Sequence, residues 1–327
     1  MVAPGERGGV CQRVGMVLKT LQEYWNDKAP LLGAAAGGQE GKGEWACLLP
    51  VALYVHERPQ YFREVVGGLS TVQGIGSVCV VVVSLDSVHQ EMIDIVLSVD
   101  FAPVRMLFHP VTEDLLVLQP VVAIKKHWIW LQDAIWTSVP ETQNHAGHVA
   151  LLEEDHLVTA DYLLVLTRLV ELQKTECPRC WGVTVRWACM HDDDTDARKL
   201  CRSHSVINTG IAFDRSTYDA IKKSDFEAFN DGWDWSLFHL AQTGQMPDMM
   251  LGPALSRISN IGRLGATVTD DGQDPHLQRQ LRYNKVGKEG LAIRPETLWI
   301  HSEAQHQYTP PAWEPLFVGG IGFIAAP

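Results

Sequence analysis

The chain has 327 residues, 46% of them hydrophobic and 20% charged, with a formal net charge of -12. That length and balance suit a folded α/β protein with a sizeable core. The acidic surplus argues against nucleic acid as a partner, which needs a basic surface, and no run reaches the roughly 18 apolar residues of a membrane-spanning helix.

Residues 1–45 read as a leader and linker with little order. Gly33–Gly43 is rich in glycine, and Met1–Val10 lacks the long apolar segment of a signal or anchor. The first strand pattern runs over Leu48–Val55 and is broken at His56-Glu57-Arg58-Pro59. Pro59 suits the first turn of a helix over Gln60–Leu69. A second strand, Val78–Ser84, ends near Asp86. A helix over Val88–Val96 and a short strand over Val104–Phe108 follow. Val121–Thr137 is long, apolar and Trp-rich, and predicts a helix. Val149–Leu152 predicts a buried strand, and Tyr162–Lys174 has helical spacing. This alternation predicts a mainly parallel, Rossmann-like sheet with helices on both sides. Beyond Cys180 the pattern is less regular. Trp181–Trp187 and Val206–Phe213 read as strands, Met190–Lys199 as an acidic loop, Ser216–Lys223 as a helix, and Trp233 opens another helix reaching Gln242. From Gly262 onward the composition predicts loops. The boundaries drawn are 1–45 for the leader, and 46–180 and 181–327 for two halves of one domain.

The apolar run Val149–Leu152 stops at Glu153, Glu154 and Asp155. Burying unpaired charge is costly, so these acids belong where the strand leaves the sheet. Open α/β sheets place their ligands there. Carboxylates at such a point can hold a hard divalent cation, and the alternative is a solvated acidic turn. Arg58 after the first strand can meet a phosphate, and Asp86 after the second can accept from a ribose or base. Lys125 and His127 lie beside Trp128 and can face phosphate oxygens. The structural alternatives are a surface arginine, a turn aspartate and the polar side of a helix. Asp234 lies between Trp233 and Trp235, where partial desolvation would suit a general base; otherwise it is a helix N-terminal acid complementing the dipole. There is neither a G-x-G-x-x-G nor a P-loop. Cys177-Pro178-Arg179-Cys180 fits zinc, redox chemistry or a short disulfide, and seven cysteines leave at least one thiol unpaired.

Several segments, in this order, resemble the alpha-1,6-mannosyl-glycoprotein 2-beta-N-acetylglucosaminyltransferase (N-acetylglucosaminyltransferase II) family. They are Val55–Tyr61, Lys125–Trp130, Leu152–His156, Glu176–Cys180, Asn208-Thr209-Gly210, Trp233-Asp234-Trp235 and Pro295–Leu298. The resemblance implies a GT-A type α/β fold and inverting transfer of GlcNAc from UDP-GlcNAc to the 2-hydroxyl of the α1,6-arm mannose of an N-glycan. It also implies Mn²⁺, a Golgi location, and a nucleotide-sugar-binding half over 46–180 with an acceptor and catalytic-base half over 181–327. Matching position by position, Val55, His56, Arg58, Asp86, Lys125, His127 and Glu154 would lie at the nucleotide-sugar. Asp155 would bind the metal, with Asn260 standing where the family has a second ligand, a histidine. Asp234 would be the catalytic base, and Cys177–Cys180 a disulfide. Lys126 replaces one of a histidine pair, and a family arginine expected between Cys180 and Asn208 has no clear match. The alternatives are the same fold with another acceptor, and a sugar-nucleotide or glycan-binding module without turnover.

Overall fold

The computed structural model describes residues 49–110, 118–189, 196–262 and 297–301. The expected leader 1–45, the aspartate run 192–194 and most of the tail after Gly262 lie outside them.

In chain order the elements are β1 (Val51–Val55), α1 (Pro59–Ser70), β2 (Val81–Leu85), α2 (Gln90–Leu97), β3 (Val104–Phe108) and α3 (Pro120–Thr137). They continue with β4 (His148–Glu153), β5 (His156–Val158), α4 (Tyr162–Glu176), β6 (Cys180–Thr184), β7 (Lys199–His204) and β8 (Ile211–Asp214). Last come α5 (Arg215–Lys223), α6 (Trp233–Gln242), β9 (Met249–Pro253), β10 (Ile258–Asn260) and β11 (Trp299–Ile300). Nine strands form one sheet in the order β11-β7-β9-β6-β8-β4-β1-β2-β3, and β10 pairs with β5 apart from it.

The half of the sheet made by β3, β2, β1 and β4 is wholly parallel. Beyond β4 the sheet is mixed, with β8 antiparallel to both β4 and β6. The α/β, mainly parallel architecture expected from the alternation is therefore present, and one sheet runs through both anticipated halves. The strand β1 shows why the pattern reads as a continuous apolar run rather than an alternating one. Val51, Leu53 and Val55 pack on the face covered by α1, α2 and α4, while Ala52 and Tyr54 pack on the face covered by α3, α5 and α6. A central parallel strand buried on both sides has no polar face to display.

Two registers fix the site. Val55 pairs with Leu85, and Tyr54 pairs with Glu153, so β1, β2 and β4 end at the same level. The chain runs outward from β1 through β2 to β3 and then returns to β4 on the other side of β1. The strand order thus reverses between β1 and β4, and a crevice opens there at the carboxyl ends. On the opposite face Trp128 of α3 stacks on Trp233 of α6, with ring centroids 5.1 Å apart and planes 2° from parallel. Such a pair contributes roughly 0.5–1.5 kcal/mol beyond its burial, and it seats the start of α6 beside the sheet.

The expected strand Val206–Phe213 is corrected to Ile211–Asp214. Residues 206–208 have no regular structure and 209–210 bend, where Gly210 takes φ +60° and a Cβ would meet Val185 and Ile258 side chains at 2.7 and 2.8 Å. Loops alone were expected after Gly262, yet Trp299 and Ile300 add a short parallel strand to β7.

Candidate active site

The acids that end β4 face the residues that leave β1. The backbone N–H of His56 donates to Glu154 Oε2 at 2.5 Å. The Arg58 guanidinium donates from Nε to Glu154 Oε1 and pairs with Asp155 Oδ2 at 3.0 Å. One cation thus faces three carboxylates, Glu153, Glu154 and Asp155. Burial, aggravated by Asp155, pushes Glu153 up to about 8. Burial raises Glu154 as well, although Arg58 and the His56 N–H oppose it. Arg58 is raised, since the neighbouring Asp155 and Glu154 outweigh its own desolvation.

Asp155 is the member of the trio left incomplete. Its Oδ1 is buried and has no hydrogen-bond partner. Ligand atoms of Glu153, Asp155 and His156 all lie within 4.8 Å of one another. His156 is nevertheless a poor ligand as it stands. Its Nδ1 accepts the Glu153 N–H at 3.0 Å, so the neutral ring carries its proton on Nε2, 4.0 Å from Asp155 Oδ1 and 3.8 Å from Glu153 Oε1. The donor set that remains, buried carboxylate oxygens short of positive charge, suits a hard divalent cation entering at Asp155 Oδ1.

Asn260 lies opposite His156 in the β5–β10 pairing, and the Ile261 N–H donates to the Asp155 carbonyl at 2.8 Å. The Asn260 Oδ1 accepts from the Gly262 N–H at 3.0 Å. The expected second ligand is therefore beside Asp155 by register, with one of its two lone pairs turned to its own loop.

At the end of β2, Asp86 accepts from His56 Nδ1 at 2.9 Å, and His127 Nδ1 lies 3.7 Å away. Burial alone would raise Asp86, but the two histidines hold it well below the usual carboxylate range. The same contact raises His56. His127 Nε2 meets Ser84 Oγ at 2.7 Å, and its ring stacks on His109 at 4.8 Å. Val55 is buried at the last position of β1, so its side chain serves the core.

Lys125 departs from expectation. Its side chain is buried, and its Nζ donates to the Phe226 and Phe229 carbonyls and to Ser236 Oγ. It ties α3 to the 226–229 turn and to α6, where three oxygens meet an ammonium that burial holds below its ordinary pKa. Lys125 and His127 stand two residues apart on α3, about 200° around the helix, so the Lys125 ammonium is turned to α6 and the 226–229 turn while His127 faces β2.

Asp234 opens α6 on the same end of the sheet. Its charge, like that of Asp155, raises both Tyr54 and Glu153. Its environment is not the expected slot between two rings: Trp233 is 5% exposed and Trp235 48% exposed. The carboxylate is set instead by Asn208, whose Nδ2 donates to Oδ2 at 2.8 Å, and by the Trp235 N–H, which donates to Oδ1 at 2.9 Å.

Tyr54, His109, Asn208 and Gly262 were not singled out as site residues. His109 carried a visible signal, for it follows β3 as His56 and Asp86 follow β1 and β2. The expected Cys177–Cys180 disulfide is present, a second joins Cys189 to Cys201, and Cys79 is also disulfide-bonded.

The family model described as N-acetylglucosaminyltransferase II (MGAT2) matches residues 41–117 and 118–315. The alpha-1,6-mannosyl-glycoprotein 2-beta-N-acetylglucosaminyltransferase of Arabidopsis thaliana is 27% identical over 221 residues, 57% of this chain and 51% of that protein. The protein of that name from Homo sapiens is 26% identical over 312 residues, 79% of this chain and 68% of that protein. The match thus spans about half the length of the Arabidopsis relative. A solved mannosyltransferase from Pyrobaculum calidifontis, in complex with GDP-Man and Mn²⁺, aligns with a TM-score of 0.38 at 12% identity over 74% of this chain and 65% of that one.

Proposed function

Since the chain belongs to the N-acetylglucosaminyltransferase II family, we propose that it is an inverting glycosyltransferase. In this reading it moves GlcNAc from UDP-GlcNAc to the 2-hydroxyl of the α1,6-arm mannose of an N-glycan in the Golgi. The observation that carries the reading is the orphaned, buried Asp155 Oδ1 at the ligand end of the sheet, with Asp234 close enough to act on the same Glu153 and Tyr54.

Each residue has a task in that reaction. Asp155, with Glu153 and the free lone pair of Asn260 nearby, would hold a divalent cation such as Mn²⁺. When bound, the cation would stabilise charge on the departing diphosphate. Arg58 keeps Glu154 and Asp155 in place and adds positive charge beside the phosphates. Asp86, flanked by His56 and His127, faces the nucleoside as an ionised acceptor. Asp234 takes the proton of the acceptor hydroxyl as that oxygen bonds to the anomeric carbon from the face opposite the leaving oxygen. The anomeric C–O bond breaks and UDP departs with its electron pair. Fixing both partners in one crevice supplies the alignment such a displacement needs.

The test is UDP release with UDP-GlcNAc, Mn²⁺ and a panel of trimmed N-glycans. The parent should respond to a glycan with an exposed α1,6-arm mannose. Asp234→Asn should lose about 10²-fold or more of kcat while still binding UDP-GlcNAc in calorimetry. A parent silent with every glycan sinks the enzymatic reading and leaves the binding module. An Asp234→Asn protein as fast as the parent removes Asp234 as the base.

A further inference from the structure

We propose that Thr209, braced by Arg186, is a positioning residue that locks the Asn208 amide with its NH₂ group against Asp234. The inference rests on the reading of Asp234 as the base and concerns what orients that base.

The three side chains form a chain of hydrogen bonds with one direction. Arg186 Nη1 donates to Thr209 Oγ1 at 3.2 Å. An arginine has no acceptor, so the Thr209 oxygen must accept there, which leaves its single proton for another partner. That partner is Asn208 Oδ1, 3.1 Å away. With its carbonyl oxygen held by Thr209, the Asn208 amide can offer Asp234 only its Nδ2, and it does so at 2.8 Å on Oδ2. A flipped amide would set its oxygen against the Asp234 carboxylate, two acceptors face to face, and would take from the Thr209 proton the oxygen that accepts it.

The consequence falls on the other carboxylate oxygen. Asp234 Oδ2 is occupied by Asn208, and Oδ1 takes the Trp235 N–H at 2.9 Å from the first turn of α6. A hydrogen bond from each side fixes the carboxylate plane, and Oδ1 keeps a lone pair in a set direction. That is the geometry a proton acceptor needs before the substrate arrives.

Thr209 is itself held on a rigid element. It is 5% exposed, and its carbonyl accepts from Thr184 Oγ1 of β6 at 2.8 Å. The Arg186 N–H donates back to that same Thr184 hydroxyl at 3.0 Å, and the guanidinium lies over the Trp187 ring at 5.5 Å. The relay is thus anchored in the sheet, while Asp234 rides on a helix that meets the sheet only through packing. Arg186 and Thr209 also line a small recess with Asn260.

The test uses Thr209→Val, which keeps shape and removes the hydroxyl, and Thr209→Ser, which keeps the hydroxyl. Two readouts are taken on the full chain. In the UDP-release assay Thr209→Val should lower kcat about tenfold with the KM for UDP-GlcNAc within about twofold of the parent, and Thr209→Ser should restore kcat. In nuclear magnetic resonance, water exchange of the Asn208 side-chain amide protons should quicken several-fold in Thr209→Val and not in Thr209→Ser. Unchanged amide exchange in Thr209→Val overturns the proposal, whatever the turnover. So does a kcat loss that Thr209→Ser fails to rescue. A parent without transferase activity sinks the functional reading alone, since the exchange measurement still decides the relay.

Discussion

Among single residues, His109 shows how a site sets charge without touching what it serves. Its ring is 6% exposed, stacks on His127 at 4.8 Å and meets the edge of Trp130 at 5.3 Å. Burial, with the nearby His127 charge, pushes it down to about 3, against a weaker pull from Asp86. A histidine lowered in the folded state binds fewer protons there than when unfolded. Its contribution is complete above the unfolded value near 6.5 and is lost progressively as pH falls from there toward 3. Urea unfolding should therefore show the parent less stable at pH 5 than at pH 7.5. His109→Phe should show a smaller drop over the same interval. An equal drop in both proteins would place the titration elsewhere. The neutral ring also leaves the Asp86 carboxylate to His56 and His127. The place of His109 after β3 was legible in the sequence, but its burial against His127 and Trp130 was not, because those contacts come from the distant helix α3. Arg58, Asp86 and Asp155 were legible, because each ends an apolar run, and a charge at such a boundary has nowhere to go but the sheet's rim.

Among elements, the small β5–β10 pair governs Asp155 from outside the main sheet. Neither strand was foreseen, since three residues give too short a pattern to read. The pair is pinned at its far end by Arg257, wholly buried, whose Nε donates to Asp161 Oδ2 at 3.0 Å. Its near end delivers Gly262 to the Asp155 carboxylate. A Cβ at that position would lie 2.1 Å from Asp155 Oδ2 and 3.0 Å from an Arg58 nitrogen. No real Cβ tolerates the first distance, so Gly262→Ala must move the carboxylate, the arginine or the strand. Mn²⁺ affinity measured by calorimetry should fall about tenfold in Gly262→Ala, with the fold intact by circular dichroism. Unchanged affinity would mean that the loop yields and that Asp155 is held by Arg58 alone. The missed β7 and β9 are longer and have a different cause. They lie in a mixed region where no helix alternates with each strand, so the rhythm that exposed β1 to β4 is absent.

At the scale of the molecule, the sheet joins two unlike halves. The parallel half carries Arg58, Asp86 and the three acids, and the mixed half carries the segment that orients Asp234. The parallel half is held by two buried faces of apolar side chains. Both clusters extend into the mixed half, where Cys189, Cys201 and Ala254 make a small separate one. The Cys189–Cys201 disulfide sits there, joining the segment after β6 to β7 across a sequence separation of 12. Closing a loop of that length stabilises by about 3 kcal/mol through the unfolded chain. No helix of the described residues is long and apolar enough to cross a membrane. A Cys189→Ser, Cys201→Ser double variant should unfold several degrees lower in a thermal scan, about 2–4 °C per kcal/mol for a large domain. Its UDP-GlcNAc affinity at a temperature where it is folded should stay near the parent's, because every expected nucleotide contact but two comes from β1, β2 and β4 or follows directly on them, and the two exceptions, Lys125 and His127, lie on α3, where His127 rests against Ser84 of β2. Loss of nucleotide binding in step with stability would show that the two halves do not divide the labour this way, and that the outer strands hold the crevice itself in shape.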